Sequence, residues 1–547
     1  MIFSARLMFG LASRLRWNFL LLFGIGHAFL YITLLPLWEG YDEPFHYAYV
    51  QHLTAGQGWP VADVSPLSEE IYRAWALTPV SPVWERRLPD LTSYSEYFAL
   101  PATEQRRRRL ALGDLPAGLR QIAHGSNYEG QQPPLAYLLL APIDRTMREM
   151  PLMSRVLVLR GCGALLAVIA YLAAFALLGR RMAIPESYTQ TMAFCFLALQ
   201  NVFGSVAHIA NDWLALPLIV LLFLAADAYW TSPGRRRALV LGAVLAAGLL
   251  TKSYFLIFVP AALLVGWRHG FWIAVVAGFL AGPWYWRNVE LYGSVSGLQE
   301  AVRPVSSAAM LAMARQMDWP GSLLGMARAS LWTGNNSFVS YSMATLNVYL
   351  ALVAGALGLW AAKVWQRGGS SGEWIVAGGT ALFTIIPVYA MVLHGALNGE
   401  VSANANSWHT AGLLPGVFLL AAAGCGAWPR IGRWLAAGIC LLSFYLLTTT
   451  YFVKLFPLYS GFSGSAGWAS LRILYGDGGR EMFSRLDRTA LWGGASLGLA
   501  AGFLCVYAAV TCWWLCRRRR QSMTASESAM SIALPVSPAP KRTLDGR

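Results

Sequence analysis

The stretch Phe19–Leu37, F-L-L-L-F-G-I-G-H-A-F-L-Y-I-T-L-L-P-L, runs for 19 residues without a charged side chain. An α-helix needs about 20 mostly apolar residues to cross a bilayer. Arg14 and Arg16 precede the run and no small-residue cleavage pattern follows it, so it predicts an uncleaved signal-anchor helix. The next residues, Trp38–Val50, read W-E-G-Y-D-E-P-F-H-Y-A-Y-V and place carboxylates at the end of this first span.

The rest of the chain is equally apolar, with 56% hydrophobic and only 13% charged residues among 547. This composition predicts an all-α polytopic membrane protein. The first run is accompanied by eleven more, which predicts about twelve transmembrane helices; they lie near 156–179, 189–207, 213–230, 237–251, 254–267, 270–286, 346–364, 374–394, 411–428, 433–452 and 490–516. The seven cysteines lie in or beside these runs, which indicates core packing rather than disulfides.

The basic residues of the short loops predict which way the chain is threaded. With a cytoplasmic N-terminus, all of these clusters fall on the side of Arg14 and Arg16: Arg180–Arg181, Arg235–Arg236–Arg237, Arg268, Lys363, Arg367, Arg430, Arg433 and Arg517 to Arg520. Both termini are then cytoplasmic, and the net charge of +15 reflects topology rather than nucleic-acid binding. Arg-rich inner loops are typical of a multi-pass protein of the cell inner membrane.

This topology divides the chain into a membrane domain and its flanks. We expect a cytoplasmic N-terminus (1–17), a multi-span domain (18–516) and a disordered, Ser- and Pro-rich cytoplasmic tail (517–547). Three large outer loops are predicted at 38–155, 287–345 and 453–489. Short surface helices on the outer face are expected at Tyr47–Thr54, Glu69–Leu77 and Leu298–Met317, and a re-entrant or surface helix at Leu135–Pro142.

The acid pair Asp42–Glu43 is the first candidate site. Two carboxylates with His46 nearby could supply a general base, a divalent metal site or both, and Pro44 would start a helix that fixes them. The alternative is an acid pair that merely favours the dipole of that helix. Acids are costly beside hydrocarbon, which favours the functional interpretation.

A second acidic motif, Asn127–Tyr137, reads N-Y-E-G-Q-Q-P-P-L-A-Y. The Pro-Pro turn would hold Glu129 rigidly near Asp42; alternatively Glu129 is a solvated loop acid. Farther on, His208 precedes Asn211–Asp212, for which capping of the next helix is the simpler interpretation.

Two cations lie at outer ends of predicted spans. Lys252, in L-T-K-S-Y, and Arg287, in W-R-N, could bind the phosphate of a lipid-linked substrate. Snorkelling of Lys252 and interfacial anchoring of Arg287 are the alternatives. No phosphate-cradling G-x-x-x-x-G-K-[ST] motif is present, so the sequence does not favour an ATP-dependent mechanism.

The motifs Y-D-E-P-F-H-Y-A-Y-V (Tyr41–Val50) and Y-E-G-Q-Q-P-P-L-A-Y-L-L-L-A-P (Tyr128–Pro142) together resemble the GT-C superfamily of integral-membrane glycosyltransferases. The similarity is greatest to the protein mannosyltransferase and aminoarabinose-transferase group and to related bacterial membrane proteins with D-E-P-x-H motifs. It covers most of residues 18–420.

This resemblance implies a GT-C-like fold and an inverting transfer of sugar from a polyprenyl-phosphate donor to a glycan, lipid or protein acceptor on the outer face. Asp42, Glu43 and Glu129 would be catalytic, with Asp42 as the base that acts on the acceptor hydroxyl or amine. Glu129 would bind the acceptor or, with His46, a divalent metal ion, which is the one expected cofactor. Lys252 and Arg287 would bind the donor phosphate. Membrane lipids are the other expected partners, and nucleic acid is not one. The alternative function is transport or flipping of lipid-linked glycans.

Overall fold

The protein is described by a computed structural model that covers residues 2–81, 91–298, 305–331, 340–402, 406–462, 475–476, 478–493 and 496–513, with side chains from residue 15 onward. It is 78% helical with almost no sheet, which confirms the all-α membrane class. The predicted tail (517–547), residues 463–474 and 477 of the loop 453–489, and part of the predicted helix Leu298–Met317 lie outside these ranges.

The α-helices are Ile2–Leu34, Glu43–Thr54, Glu69–Leu77, Tyr94–Ala99, Ala102–Gly113, Leu135–Thr146, Leu152–Arg181, Glu186–Ala198, Gln200–Val206, Asp212–Thr231, Arg235–Leu249, Phe258–Val265, Gly270–Tyr292, Ser307–Gln316, Trp319–Ala329, Met343–Arg367, Ser371–Phe383, Ile385–Asn398, Ser407–Thr410, Leu414–Ala427, Pro429–Thr449, Phe456–Tyr459, Gly479–Thr489 and Ser496–Trp513. Short 3₁₀ helices lie at Ala117–Gln121, Tyr128–Gln131, Ser253–Ile257, Trp267–His269 and Ala411–Leu413, and a π-helix at Thr450–Leu455. Strands Pro66–Ser68 and Ala123–Ser126 pair antiparallel, with Leu67 opposite His124.

Eight helices in the described ranges are long and apolar enough to cross a membrane, and they coincide with eight of the twelve predicted runs. They are Leu15–Leu34, Leu152–Arg181, Asp212–Thr231, Met343–Arg367, Ser371–Asn398, Ser407–Ala427, Pro429–Tyr459 and Ser496–Trp513. The chain therefore has the architecture of a multi-pass membrane protein.

The other four predicted runs are helical but interrupted or short. The run 189–207 is broken at Leu199, whose backbone is extended. Arg235–Leu249 has 15 residues, or about 22 Å of helix against about 30 Å of hydrocarbon. The last two form one pair, Ser253–Val265 and Trp267–Tyr292, bent by 93°, which raises the number of candidate spans to nine at most.

The helix Glu43–Thr54, here called the acid helix, begins where Pro44 predicts, because proline suits the first turn of a helix. Its residues from Glu43 to Gln51 are buried, so the expected amphipathic surface helix at Tyr47–Thr54 is wrong. It packs on the helix Leu135–Thr146, where the rings of Tyr49 and Tyr137 stack with centroids 4.1 Å apart. The first loop thus folds into a buried layer that carries both acidic motifs.

Candidate active site

Asp42 and Glu43 are neighbours in sequence but occupy different surroundings. Asp42 is the residue before the acid helix and has a left-handed backbone, with φ 50°, whereas Glu43 is the first helical residue. A non-glycine residue in this conformation is uncommon and carries strain. The turn separates the two carboxylates, so each has its own hydrogen-bond partners.

Glu43 lies in a fully buried ion pair with Arg160 of the helix Leu152–Arg181, and both side chains are 0% exposed. Arg160 Nε donates to Glu43 Oε1 at 2.7 Å, and the backbone N–H of Ile209 donates to the same oxygen at 3.0 Å. Burial alone would raise the pKa of Glu43, but the charge and hydrogen bonds of Arg160, together with His208 and the Ile209 N–H, hold the pKa below its ordinary value. Glu43 is therefore an ionised anchor.

Arg160 also fastens the end of the first span. Its Nη1 donates to the Leu35 carbonyl at 2.6 Å and its Nη2 to the Pro36 carbonyl at 2.9 Å. One guanidinium therefore joins the first span, the acid helix and the span Leu152–Arg181. Arg160 is not among the site residues predicted from the sequence, although an arginine inside the apolar run L-V-L-R-G-C-G indicates a functional or structural role.

Asp42 contacts the second acidic motif directly. The hydroxyl of Tyr128 donates a hydrogen bond to Asp42 Oδ1, and the ring of Tyr128 lies 4.2 Å from that of Phe45. Tyr128 begins the 3₁₀ turn that carries Glu129. The structure thus brings together Asp42 and the Glu129 motif, as the sequence predicts.

Glu129 is held on both its backbone and its side chain. Asn127 Oδ1 accepts from the Glu129 N–H at 2.9 Å, and Asn127 Nδ2 donates to the Phe45 carbonyl at 3.0 Å. Gln132 Nε2 donates to Glu129 Oε2 at 2.7 Å. Because Glu129 is buried and hydrogen-bonded, its interpretation as a solvated loop acid is wrong.

The network continues through Gln132 to the loop before the span Asp212–Thr231. Asn211 Nδ2 donates to Gln132 Oε1 at 2.9 Å, and Asn211 makes no side-chain cap of the following helix. Asp212 pairs with Lys252, with Oδ1 and Nζ 2.5 Å apart. Both residues of the predicted cap therefore belong to the site, and Lys252 is an ion-paired cation rather than a snorkelling one.

Arg287 contacts the segment 60–62, which in turn packs against the Glu129 motif at Gly130. Its Nη2 donates to the Pro60 carbonyl at 2.6 Å, and the Ala62 N–H donates to the Tyr292 hydroxyl at 3.0 Å. That segment packs on Gly130, where an added Cβ would lie 2.6 Å from the Val61 carbonyl carbon. Arg287 Nη1 is buried without a hydrogen-bond partner among the described residues.

His46 and His208 are the imidazoles of the site. His46 Nδ1 lies 2.8 Å from the Tyr137 hydroxyl, and burial, with added repulsion from His208 and Lys252, holds the pKa of His46 well below 6.5. Burial also lowers the pKa of His208. Within the described ranges, no three His, Cys, Asp or Glu side chains are grouped to hold a metal ion, and the metal site at Glu129 and His46 stays a prediction.

These elements define a helical membrane protein with a buried, highly connected polar site at the ends of its spans. No protein-family model, curated protein or solved structure matches the chain. The resemblance to the GT-C glycosyltransferases therefore rests on the two acidic motifs and their neighbours.

Proposed function

We propose that this protein transfers a sugar from a polyprenyl-phosphate donor to an acceptor hydroxyl or amine at the outer face of the inner membrane. The observation that supports it best is one series of hydrogen bonds and an ion pair between neighbouring segments. Tyr128 donates to Asp42, Gln132 donates to Glu129, Asn211 donates to Gln132, and Lys252 pairs with Asp212. Tyr128 and Glu129, like Asn211 and Asp212, are adjacent in the chain, so these contacts link Asp42 to Lys252. They join a candidate base to a candidate phosphate ligand, the two functions that this reaction requires.

Asp42 is the proposed base. Its carboxylate removes the proton from the acceptor as the acceptor oxygen or nitrogen bonds to the anomeric carbon. The bond between that carbon and the donor phosphate oxygen breaks, its electron pair leaves with the phosphate, and the configuration inverts. The Tyr128 hydroxyl orients the carboxylate, which matters because a base must lie within hydrogen-bond reach of its proton.

Lys252 and Arg287 are the proposed ligands of the leaving phosphate. An ammonium has three N–H donors, and one N–H of Lys252 is directed at Asp212. Arg287 has a buried Nη1 with no partner among the described residues, which is a donor suited to a phosphate oxygen. Cations fixed in advance near developing negative charge are a large source of catalysis.

Glu43 and Glu129 then have different functions. Glu43 is a positioning residue because both of its oxygens are used to hold the acid helix to Arg160. Glu129 adjoins Asp42 through Tyr128 and is proposed to orient the acceptor. Asp42 remains the base expected from the sequence, whereas Glu43 moves from the expected catalytic set to a positioning role.

The test uses the purified full-length protein in liposomes with a panel of polyprenyl-phosphate sugars. Release of polyprenyl phosphate is measured by mass spectrometry, because that product is the same for every acceptor. Asp42→Asn should lower release at least about 100-fold, as loss of a general base does, and Glu129→Gln should lower it less. The matched control is Glu149→Gln, since the Glu149 side chain is 76% exposed and pairs only with Arg148 among the described residues. Wild-type release by Asp42→Asn would refute the proposal.

A second candidate, transport of lipid-linked glycans, is favoured by one observation. The buried helices Glu186–Ala198 and Gln200–Val206 are separated by a break, and the Gln190 amide and Ser205 hydroxyl have no hydrogen-bond partner among the described residues. Broken helices and polar groups at membrane depth are typical of transporters. Fast flipping of a fluorescent polyprenyl lipid in proteoliposomes, equal in wild type and Asp42→Asn, without transfer, would favour this candidate.

A further inference from the structure

A pocket of about 580 Å³ lies between the helix Ala102–Gly113 and the helix Gly479–Thr489, here called the basic helix. Arg480, Ser484 and Arg488 line it and are spaced four residues apart, so they share one face of the basic helix. Arg485 lines it as well, and Phe98 forms part of an apolar wall. We refer to this cavity as the basic pocket.

The arginines of the basic pocket differ in the hydrogen bonds and ion pairs that they make. Arg485 pairs with Glu481, with Nε and Oε1 3.0 Å apart, and its guanidinium lies 4.6 Å from the Phe462 ring centroid. Arg488 donates through Nη1 to Gln105 Oε1. Arg480 is exposed and makes no hydrogen bond or ion pair within the described part of the chain.

The charge of the basic pocket is therefore unbalanced. Three guanidinium groups line it against the single carboxylate of Glu481. Arginine presents five N–H donors in a planar fork, so Arg488 keeps donors beyond the one that contacts Gln105. All five N–H donors of Arg480 are without a partner in the described part of the chain. Together with the Ser484 hydroxyl and the remaining donors of Arg488, they form a set of donors suited to a tetrahedral oxyanion.

Three contacts fix the level of the basic pocket relative to the spans. The Leu491 N–H donates to the Thr33 carbonyl at 2.9 Å, in the last turn of the first span, and Arg109 Nη2 donates to the Ala490 carbonyl at 2.7 Å. Trp492 is 58% exposed and its ring meets that of Phe29 edge-on at 5.4 Å. Exposed tryptophan at a span end marks the membrane–water interface. The basic pocket therefore lies at head-group height.

We propose that the basic pocket binds the phosphate of an anionic membrane lipid. Arginine pairs with phosphate through two parallel hydrogen bonds, and basic pockets beside spans bind anionic head groups. Phe98 and Leu100 supply apolar surface next to these donors, which suits the acyl chains that adjoin a lipid phosphate. The basic pocket shares no residue with the contacts that link Asp42 to Lys252, and its binding of lipid does not depend on the proposed sugar transfer.

The test measures lipid retention by the purified full chain with native mass spectrometry. Phosphatidylglycerol, phosphatidylcholine and inorganic phosphate are the probes. Each arginine near a membrane surface contributes about 1 kcal/mol, so Arg480→Gln should weaken phosphatidylglycerol binding about fivefold and Arg480→Gln/Arg488→Gln about thirtyfold. The matched control is Arg73→Gln, which should bind phosphatidylglycerol like wild type. Arg73 lies on the helix Glu69–Leu77, away from the residues that line the basic pocket, and pairs only with Glu69 among the described acids.

Each alternative outcome is decisive. Equal retention of phosphatidylglycerol by wild type and the double variant would overturn the proposal, as would equal retention of the two lipids by wild type. Displacement of phosphatidylglycerol by inorganic phosphate at equal concentration would identify a free-anion site instead. If the double variant does not fold, Arg480→Gln decides alone, because its exposed side chain has no partner in the described part of the chain to lose.

Discussion

Glu43→Gln should destabilise the protein, whereas Asp42→Asn should impair chemistry and leave stability nearly unchanged. Glu43 and Arg160 are both fully buried, and Arg160 donates two charge-assisted hydrogen bonds to Glu43. Removing the carboxylate charge leaves the Arg160 guanidinium in a low-dielectric interior with neutral acceptors alone, chiefly the Leu35 and Pro36 carbonyls and the amide oxygen of the new glutamine. The variants of this adjacent pair therefore separate positioning from catalysis.

The magnitude follows from the burial of the pair. Breaking a buried ion pair by removing one partner costs about 3–5 kcal/mol. Arg160→Met should fall at the upper end, because it leaves a bare carboxylate whose other partner is the Ile209 N–H. Glu43→Gln should fall at the lower end, because two carbonyls still accept from Arg160. The double variant Glu43→Gln/Arg160→Met removes both charges and should be more stable than Arg160→Met alone.

Thermal unfolding of the purified protein in detergent, followed by tryptophan fluorescence, measures these differences, and release of polyprenyl phosphate is measured on the same samples. A midpoint for Glu43→Gln equal to that of wild type, together with lost release, would refute the anchoring role and make Glu43 a participant in the chemistry. Destabilisation by Asp42→Asn as large as that by Glu43→Gln would contradict the distinction between the two acids.

Two further predictions concern the same layer. Burial lowers the pKa values of His46 and His208, so near pH 6.5 the unfolded chain binds protons that the folded chain does not. The free energy of unfolding should therefore be highest above pH 6.5 and should fall as the pH drops below that value. His46→Gln should flatten this dependence between about pH 7.5 and 5. Gly130→Ala should destabilise the protein by about 1–3 kcal/mol and reduce transfer, because its Cβ would lie within 3 Å of the Val61–Ala62 backbone. Gly118→Ala, whose Cβ would meet nothing within 4 Å, is the control for thermal unfolding, and an equal midpoint for the two variants would contradict the packing argument.

The long apolar runs could be predicted from the sequence because hydrocarbon thickness imposes a minimum helix length. Short runs such as 237–251 and 254–267 could not be assigned in this way. A buried helix, a broken span and a re-entrant pair have similar apolar compositions. The structure distinguishes them by their backbones: the run 189–207 breaks at Leu199, and the run 254–267 belongs to a helix pair bent by 93°.

The sequence by itself determined that this is a helical membrane protein, that Pro44 starts a helix, and that the acids at 42 and 129 belong to one candidate site. Only the tertiary structure decided the surroundings and partners of each acid. Glu43 meets Arg160 from a helix more than 100 residues away, while the left-handed turn at Asp42 directs the neighbouring carboxylate to Tyr128. The physical reason is that the environment of a carboxylate depends on long-range packing, which residues adjacent in sequence need not share.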